Sequence, residues 1–247
     1  MSLQQEDGSS TFTRKEKESL ATFENFTYTL CHFLEVAIHQ IIYNRGIYPK
    51  ELFHVTNNYN IGTHTCRHPQ VIKWIRDAIM ALSEELLKNC VRRVALVILS
   101  PNDISLERFI FDMSRFPLTS DIDVKYNAPM LQPGAEVPPS RQALANLERE
   151  FQTCLVKLKY SNISLGKIPE DSTFGLAIEL NDDQAAPNNY TDTWMPCERQ
   201  PVSNNSKKSV VSAPDCEKIT GIRTIREGAF TFNIWIEESK AKSKLVV

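Results

Sequence analysis

The stretch FENFTYTLCHFLEVAIHQIIYNRGIYPKELF, residues 23–53, predicts the long buried helix around which the rest of the chain is organised. Its apolar residues recur every three or four positions, a spacing that places them on one side of a helix. They are Phe23, Phe26, Leu30, Phe33, Leu34, Ala37, Ile38, Ile41 and Ile42, and the stripe is widened by Tyr28, Cys31 and Val36. A stripe of this width predicts packing on more than one side of the helix. Gly46 ends the helix, and Pro49 keeps it from resuming because proline disfavours helical geometry at Tyr48.

The composition is that of a globular protein without a strongly charged surface. The chain has 247 residues, of which 42% are hydrophobic and 23% charged, so it can bury a sizeable core as one large or two small domains. A formal net charge of −2 argues against a strongly basic DNA-binding surface, because phosphate binding relies on clustered Lys and Arg. The basic run Lys240–Lys244 is predicted to be a solvated tail, with a weak localisation or phosphate contact as the alternative.

Nothing in the sequence indicates a membrane or secreted protein. No apolar run reaches the roughly 18 residues needed to span a bilayer, and the polar N-terminus lacks the apolar centre of a secretory signal. The six cysteines include no close pair, which indicates reduced thiols in a cytosolic or nuclear protein.

The remaining patterns predict an α+β domain, with helices packed on an antiparallel sheet. Residues 1–12 are expected to be disordered, and residues 50–67 to form loop and short irregular structure. The predicted elements are a helix from Pro69 to about Lys88, a hairpin of Val91–Leu99 and Leu106–Met113, a third helix from Ser140, a strand Thr173–Leu180, and a last hairpin of Ile219–Ile225 and Ala229–Glu237. The proline-rich residues 114–139 are expected to be a flexible surface insertion, and Asn181–Cys216 a polar loop.

The motifs of common enzymes are missing from the sequence. No glycine cluster could cradle a phosphate, and neither a nucleophile elbow nor HExxH occurs. His64, Cys66 and His68 are close enough to suggest metal ligands, but a closed zinc site needs four donors and no second pair is near. The alternative is a loop in which His68 precedes the proline that opens a helix. His32 and His39 on the central helix are interpreted as packing or partner-facing residues. A binding module is therefore favoured over an enzyme.

One aromatic residue stands out in a polar setting. Trp194 lies in NNYTDTWMPCERQ, a segment too polar to fold on its own, so its ring is expected to dock on something. It is either an anchor that pins the loop to its own domain or a wall of a groove that encloses an extended ligand. Trp74 and Tyr48 carry the same two interpretations. Aromatic rings with free faces suit proline-rich peptides, whose preset extended shape loses little entropy on docking.

Four stretches together resemble a known family. They are CHFLEVAIHQIIYNRGIYP, RHPQVIKWIRDAI, the hairpin VRRVALVILS…LERFIFDM, and the C-terminal TGIRTI…FTFNIWIEE. Over residues 13–238 they resemble the HORMA-domain accessory subunits of translesion DNA polymerase zeta, in a fungal or other non-animal version. The resemblance implies an adaptor with no catalytic activity, cofactor or metal of its own. It is expected in the nucleus, with a location in both nucleus and cytoplasm as the alternative. It further implies a safety belt, residues 181–237, that passes over a bound peptide strand, with residues 239–247 as a basic tail.

The resemblance also assigns roles to individual residues in binding the catalytic subunit. Tyr48, Trp74 and Trp194 would line the slot for a proline-containing motif of that subunit. Trp74 stands where the family usually has tyrosine, and because it is also aromatic its stacking role should survive.

Two further surfaces are implied in the same way. Ile219, Asn233 and Trp235 match the surface that binds the scaffold polymerase, a deoxycytidyl transferase, although animal relatives have glutamine and tyrosine at the last two positions. Arg149 and Gln152 mark the implied face of a HORMA dimer, with Gln152 in place of an arginine associated with HORMA–HORMA pairing and Arg149 one turn earlier. No membrane contact and no sequence-specific DNA contact is implied.

Three hypotheses follow from the sequence. The first is the polymerase zeta adaptor, which bridges the catalytic subunit and the scaffold polymerase in DNA damage bypass. The second is a checkpoint, meiotic or autophagy HORMA adaptor that uses the same belt on a different peptide. The third, from another class, is an enzyme with an unrecognised site near residues 64–68.

Overall fold

The computed structural model describes residues 23–115, 139–181, 194, 216–227 and 230–245. Its helices are α1 (Phe23–Arg45), α2 (Pro69–Leu87), α3 (Pro139–Ser161) and α4 (Lys240–Leu245). Its strands are β1 (Phe53–Asn58), β2 (Ile61–Cys66), β3 (Val91–Leu99), β4 (Ser105–Asp112), β5 (Thr173–Leu180), β6 (Cys216–Glu227) and β7 (Phe230–Ser239). The expected disordered tail, and most of the expected insertion and belt, lie outside the described residues.

The main sheet is antiparallel and has the order β5-β3-β4-β7-β6. The predicted hairpins β3–β4 and β6–β7 are confirmed, since each pair is joined by an antiparallel ladder, with register shifts at a few positions. The sequence did not predict how the two hairpins associate. In the structure β7 pairs with β4, placing Phe109 opposite Ile236, so β5 and β6 form the two outer edges of the sheet.

Helix α1 is the centre of the core, as its wide apolar stripe predicts. It packs against α2, α3 and β2, and its buried residues occupy nearly every position from Leu30 to Ile42. Phe33 stacks on Phe151 of α3 with 4.2 Å between ring centroids, and meets Phe111 of β4 edge-on at 6.3 Å. The helices therefore cover one face of the main sheet. No described helix is both long and apolar enough to cross a bilayer.

The expectation of loop and irregular structure over residues 50–67 is wrong. After one short turn at Lys50–Leu52, these residues form the antiparallel hairpin β1–β2. Its two-residue turn is Tyr59-Asn60, and both residues have positive φ, 51° and 59°. Such turns match the twist of paired strands but usually contain glycine. The tyrosine at the first turn position therefore concealed the hairpin.

The prediction of a solvated basic tail at the C-terminus is also wrong. Lys240–Leu245 form the short helix α4, which packs against β4 and β7. Lys240 and Lys244 are exposed, as expected, but Lys242 is only 5% exposed. Its ammonium group lies between two glutamates, Glu107 and Glu238. The run of lysines gave no sign of these two contacts.

Candidate functional site

Strand β5 forms one edge of the main sheet. One side of it pairs with β3 from Thr173 to Leu180, and no described strand pairs with the other side. Its residues from Phe174 to Leu180 are neither fully buried nor fully exposed. An edge strand of this kind presents backbone N–H and C=O groups that an added strand can pair with.

Three aromatic rings meet at the start of this edge. Phe174 of β5 has Tyr48 on one side at 6.2 Å between centroids and 89° between planes. Trp74 of α2 is also perpendicular to Phe174, at 5.0 Å and 83°. The indole remains 43% exposed, and Tyr48 is half-buried. We call Tyr48, Trp74 and Phe174 the aromatic cluster; it lies beside the edge of β5 that no described strand pairs with.

The resemblance assigned Tyr48 and Trp74 of this cluster to one site, but it did not include Phe174. Tyr48 and Trp74, which the resemblance assigns to one slot, each contact Phe174, and their role in peptide binding stays a prediction. The alternation of β5 had assigned Phe174 to the inward side of the sheet. That assignment is compatible with its position, because Phe174 packs against the main core and contacts both rings. No pattern in the sequence marked Phe174, the second residue of β5, as a binding residue.

The end of α1 directs Tyr48 toward this cluster. Gly46 has φ +66°, and its N–H donates to the carbonyl of Tyr43, while the N–H of Ile47 donates to the carbonyl of Ile42. These two bonds form a Schellman motif, which turns the chain sharply out of the helix. Burial, with a contribution from the Cys66 thiol, raises the pKa of the Tyr48 phenol. Tyr48 therefore remains a neutral hydrogen-bond donor at neutral pH.

Trp194 docks on the domain, as its polar surroundings predict. The side chain is half-buried and packs against the main core. Its indole Nε1 is buried and has no hydrogen-bond partner among the described residues. No ring contact joins it to Tyr48 or Trp74 within those residues. The anchor and groove-wall interpretations are thus both compatible with its position.

Ile219, Asn233 and Trp235 lie on one face of the β6–β7 hairpin. Phe232, Ile234 and Ile236 point into the core, so the alternate residues of β7 face away from the helices. In the ladder Ile219 is opposite Glu237, Gly221 is opposite Trp235, and Thr224 is opposite Asn233.

The surface formed by these three side chains is partly ordered by polar contacts. Ile219 is 65% exposed. Trp235 donates from Nε1 to Glu237 at 2.9 Å, and the guanidinium of Arg93 lies 5.7 Å from its ring centroid. The hydroxyl of Thr224 donates to Asn233 at 2.8 Å. The three residues therefore form one continuous surface with an exposed aliphatic side chain at its end.

Arg149 and Gln152 lie on the outer part of α3. Arg149 is exposed and Gln152 half-buried, and their spacing of three positions places them on neighbouring parts of one helix face. Between them, Glu150 pairs with Arg223 of β6 at 2.7 Å. Arg149 is thus accessible and Gln152 partly so, and their role in a HORMA dimer stays a prediction.

Of the three residues considered as metal ligands, two are packed in the fold. His64 and Cys66 lie on β2 and not in a loop, which corrects the sequence interpretation. The His64 ring stacks on Tyr43 at 3.5 Å, and Cys66 is fully buried. His68 directly precedes Pro69, which opens α2 as predicted. No group of three or more potential metal ligands occurs within the described part of the chain.

The two histidines of the central helix have packing roles, as predicted. Nδ1 of His32 lies 2.8 Å from the Tyr59 hydroxyl. His39 is buried, and its Nδ1 accepts from the backbone N–H of Cys66 at 3.4 Å. Burial first, and then the charges of Arg76 and His54, lower the pKa of His39 from 6.5 to about 4. A neutral imidazole of this kind is a structural group.

Comparison with known proteins gives one family and a consistent set of relatives. The HORMA domain model matches residues 29–213. The chain is 25% identical over 221 residues to the zebrafish (Danio rerio) mitotic spindle assembly checkpoint protein MAD2B, covering 87% of this chain and 91% of that one. It is 24% identical over 206 residues to the Schizosaccharomyces pombe DNA polymerase zeta processivity subunit, covering 83% and 89%. The subunit of that name from Arabidopsis thaliana is 27% identical over 196 residues, covering 76% and 81%.

Solved structures confirm the fold. A chain in a crystal structure of the mitotic checkpoint complex superposes with a TM-score of 0.62 at 17% identity, covering 86% of this chain and 98% of that one. Caenorhabditis elegans HTP-2, bound to a HIM-3 closure motif, gives a TM-score of 0.58 at 14% identity, covering 89% and 92%. The α+β architecture predicted from the sequence is therefore shared with these proteins.

Proposed function

This chain belongs to the HORMA domain family, and from that premise we propose that it is a non-catalytic adaptor subunit of translesion DNA polymerase zeta. It traps a proline-containing segment of the catalytic subunit under a safety belt formed by residues 181–237. It also bridges that subunit to the scaffold deoxycytidyl transferase for DNA damage bypass in the nucleus. The polymerase zeta processivity subunits of S. pombe and Arabidopsis, related over most of the chain, support this assignment.

The proposal rests on the edge of β5 beside the aromatic cluster, to which no strand in the described part of the chain is paired. An extended peptide that lies along β5 pairs its backbone with the edge, so its N–H and C=O groups keep hydrogen bonds as they leave water. Prolines at positions that need no N–H donor can then rest on the free faces of Trp74 and Tyr48. A proline-rich segment is favoured because its extended shape is already set in the free peptide.

The order of the strands supports enclosure by a belt. β5 ends at Leu180 on one edge of the sheet, and β6 begins at Cys216 on the opposite edge. Four strand spacings, about 19 Å, separate these edges, so the intervening segment must connect one side of the sheet to the other. Trp194 lies within that segment and docks on the core, and its unpaired Nε1 can donate to a carbonyl of the peptide.

Enclosure would act mainly on dissociation. A peptide on β5 that is covered by this segment leaves only after the β6–β7 hairpin releases its ladder with β4. That requirement lowers the dissociation rate without adding contact area. The hairpin then needs an alternative position, so the proposal includes two folded arrangements of similar free energy.

The scaffold polymerase is assigned to the surface of Ile219, Asn233 and Trp235. This surface lies on the far side of the sheet from the helices and on the opposite edge from β5. Both partners can therefore bind at the same time, which an adaptor requires. A HORMA dimer through Arg149 and Gln152 would use α3, a third region of the molecule.

A second candidate function uses the same edge with another peptide. The names of the zebrafish and related proteins, mitotic spindle assembly checkpoint protein MAD2B, favour a checkpoint adaptor. Meiotic and autophagy adaptors belong to the same alternative. Peptide identity separates it from the first candidate, because the edge of β5 supplies backbone pairing to any extended segment.

Peptide binding to wild type and to a Trp194→Ala variant tests the proposal. A labelled proline-containing peptide from the catalytic subunit is titrated with each protein, and fluorescence anisotropy gives Kd. We expect the variant to lose about 2 kcal/mol or more of binding free energy, as for a buried aromatic hot spot, with the fold largely kept. Tyr160→Ala is the matched control, because Tyr160 is an aromatic residue on α3 that is 62% exposed.

Three outcomes would change the assignment. Failure of wild type to bind this peptide, with binding to checkpoint or meiotic closure peptides, removes the first candidate and favours the second. A cooperative loss of unfolding free energy of similar size without peptide identifies Trp194 as an anchor only. Stoichiometric zinc in the purified protein would revive an enzymatic site near residues 64–68.

A further inference from the structure

Two glutamates stand directly opposite each other where the last hairpin joins the rest of the sheet. Glu107 on β4 and Glu238 on β7 are partners in the ladder. Glu107 is fully buried and Glu238 only 9% exposed. Like charges in this position oppose strand pairing, and a buried carboxylate without a partner is strongly destabilising. The β4–β7 junction therefore needs a cation at this point.

Lys242 of α4 supplies that cation. Its Nζ lies 2.5 Å from Oε1 of Glu107 and 2.5 Å from Oε2 of Glu238. The ammonium is seated against Gly166, where an added Cβ would lie 3.9 Å from both Cε and Nζ of the lysine. The buried Lys242 side chain thus bridges a glutamate on β4 and a glutamate on β7.

The neighbouring charges do not replace it. Arg45 of α1 pairs with Oε1 of Glu107 at 2.7 Å, but it belongs to the fixed domain. Lys218 of β6 lies 3.2 Å from Oε1 of Glu238, and its side chain is 52% exposed, which weakens the pair by solvent screening. Burial would raise the pKa of Glu238, but hydrogen bonds from Lys242 and Lys218 hold it below its ordinary value. Glu238 therefore carries its charge at neutral pH, directly opposite Glu107 in the ladder.

We propose that Lys242 is an electrostatic latch that holds the β6–β7 hairpin on β4 and so determines how long a bound peptide stays enclosed. The bridge from Lys242 to Glu107 exists only when the hairpin is docked. When β7 leaves β4, Glu238 and Lys242 move away together, and Arg45 remains with Glu107. The contact therefore stabilises the docked arrangement relative to the undocked one. The effect on enclosure rests on the proposed function, whereas the effect on docking does not.

Hydrogen exchange without peptide tests the latch directly. In a Lys242→Met variant, which keeps the length of the side chain, we expect amides of residues 216–227 and 230–239 to exchange on the order of 10- to 100-fold faster. Amides of α2 should keep their wild-type rates. Lys244→Met is the matched control, since Lys244 is an exposed lysine of the same helix, and it should change no rate more than about twofold.

A second variant tests the repulsion itself. Adding Glu238→Gln to Lys242→Met removes one of the opposed charges, so hairpin exchange should slow again by on the order of tenfold. Exchange in Lys242→Met within twofold of wild type, an equal acceleration in α2, or no recovery in the double variant each overturns the latch.

Peptide dissociation tests its consequence. We expect the dissociation rate of the peptide from Lys242→Met to exceed that from wild type by the same factor as the increase in hairpin exchange. A dissociation rate equal to that of wild type would contradict the link between the latch and enclosure. If wild type binds no peptide, the proposed function fails while the exchange result stands.

Discussion

Trp74→Ala gives the sharpest test of where the peptide lies. The indole belongs to the aromatic cluster beside β5 and is 43% exposed. If the peptide covers that fraction of a side chain with about 250 Å² of surface, about 110 Å² leaves water on binding. At about 25 cal/mol per Å² this contributes about 2.7 kcal/mol to affinity. We therefore expect the variant to raise Kd by about 100-fold.

The buried part of the indole supports the fold, and its loss has a separate cost. That part amounts to about 140 Å², which with a compact unfolded state gives about 2–3 kcal/mol of unfolding free energy. Native domains have unfolding free energies of about 5–15 kcal/mol, so the variant should remain folded. Urea denaturation of the free protein measures this loss separately from the loss of affinity.

Fluorescence anisotropy with the labelled proline-containing peptide measures Kd for wild type, Trp74→Ala and Met80→Ala. Met80 lies on the same helix and is 48% exposed, but it has no part in the aromatic cluster. Its variant should bind within threefold of wild type. A folded Trp74→Ala protein that also binds within threefold would refute the placement of the peptide against this ring.

Two further predictions concern stability and the second partner. The pKa of buried His39 is about 4 in the folded protein, against 6.5 in the unfolded chain. Between these values the unfolded chain binds a proton at His39 that the folded protein does not. The unfolding free energy should therefore fall by about 3 kcal/mol from pH 7 to pH 4. A His39→Gln variant should show a shallower pH dependence in urea denaturation, and an unchanged slope would contradict this. Ile219→Asp should change unfolding free energy by less than about 0.5 kcal/mol, because the side chain is 65% exposed. The same variant should lose binding to the scaffold polymerase in calorimetry, and wild-type affinity would remove Ile219 from that surface.

The helices and most strands of the fold could be predicted because each carries its own periodic signal. Strand Thr173–Leu180 and strand Val91–Leu99 have the predicted bounds. The β1–β2 hairpin could not be found in this way, since Tyr59 adopts a positive φ without the glycine that marks such turns. The position of β7 beside β4 depends on long-range packing, which no local pattern contains.

The candidate site was predictable to a smaller extent. The resemblance supplied Tyr48 and Trp74, and the structure shows that they meet through Phe174. The burial of Lys242 could not be predicted, because a run of lysines is normally solvated and one of its two partners lies on a strand far away in sequence. An ion pair between residues far apart in the sequence cannot be recognised from the residues that neighbour either of them.

The pairing of β7 with β4 also bears on how the molecule is made. This ladder joins Phe109 to Ile236, residues more than half the length of the chain apart. Contacts of such long range form late, because a long loop must close before the contact is gained. During synthesis this edge of β4 therefore stays unpaired until β7 has been made. Removal of β7 would leave a domain with an exposed strand edge on β4 and a tendency to associate with other chains.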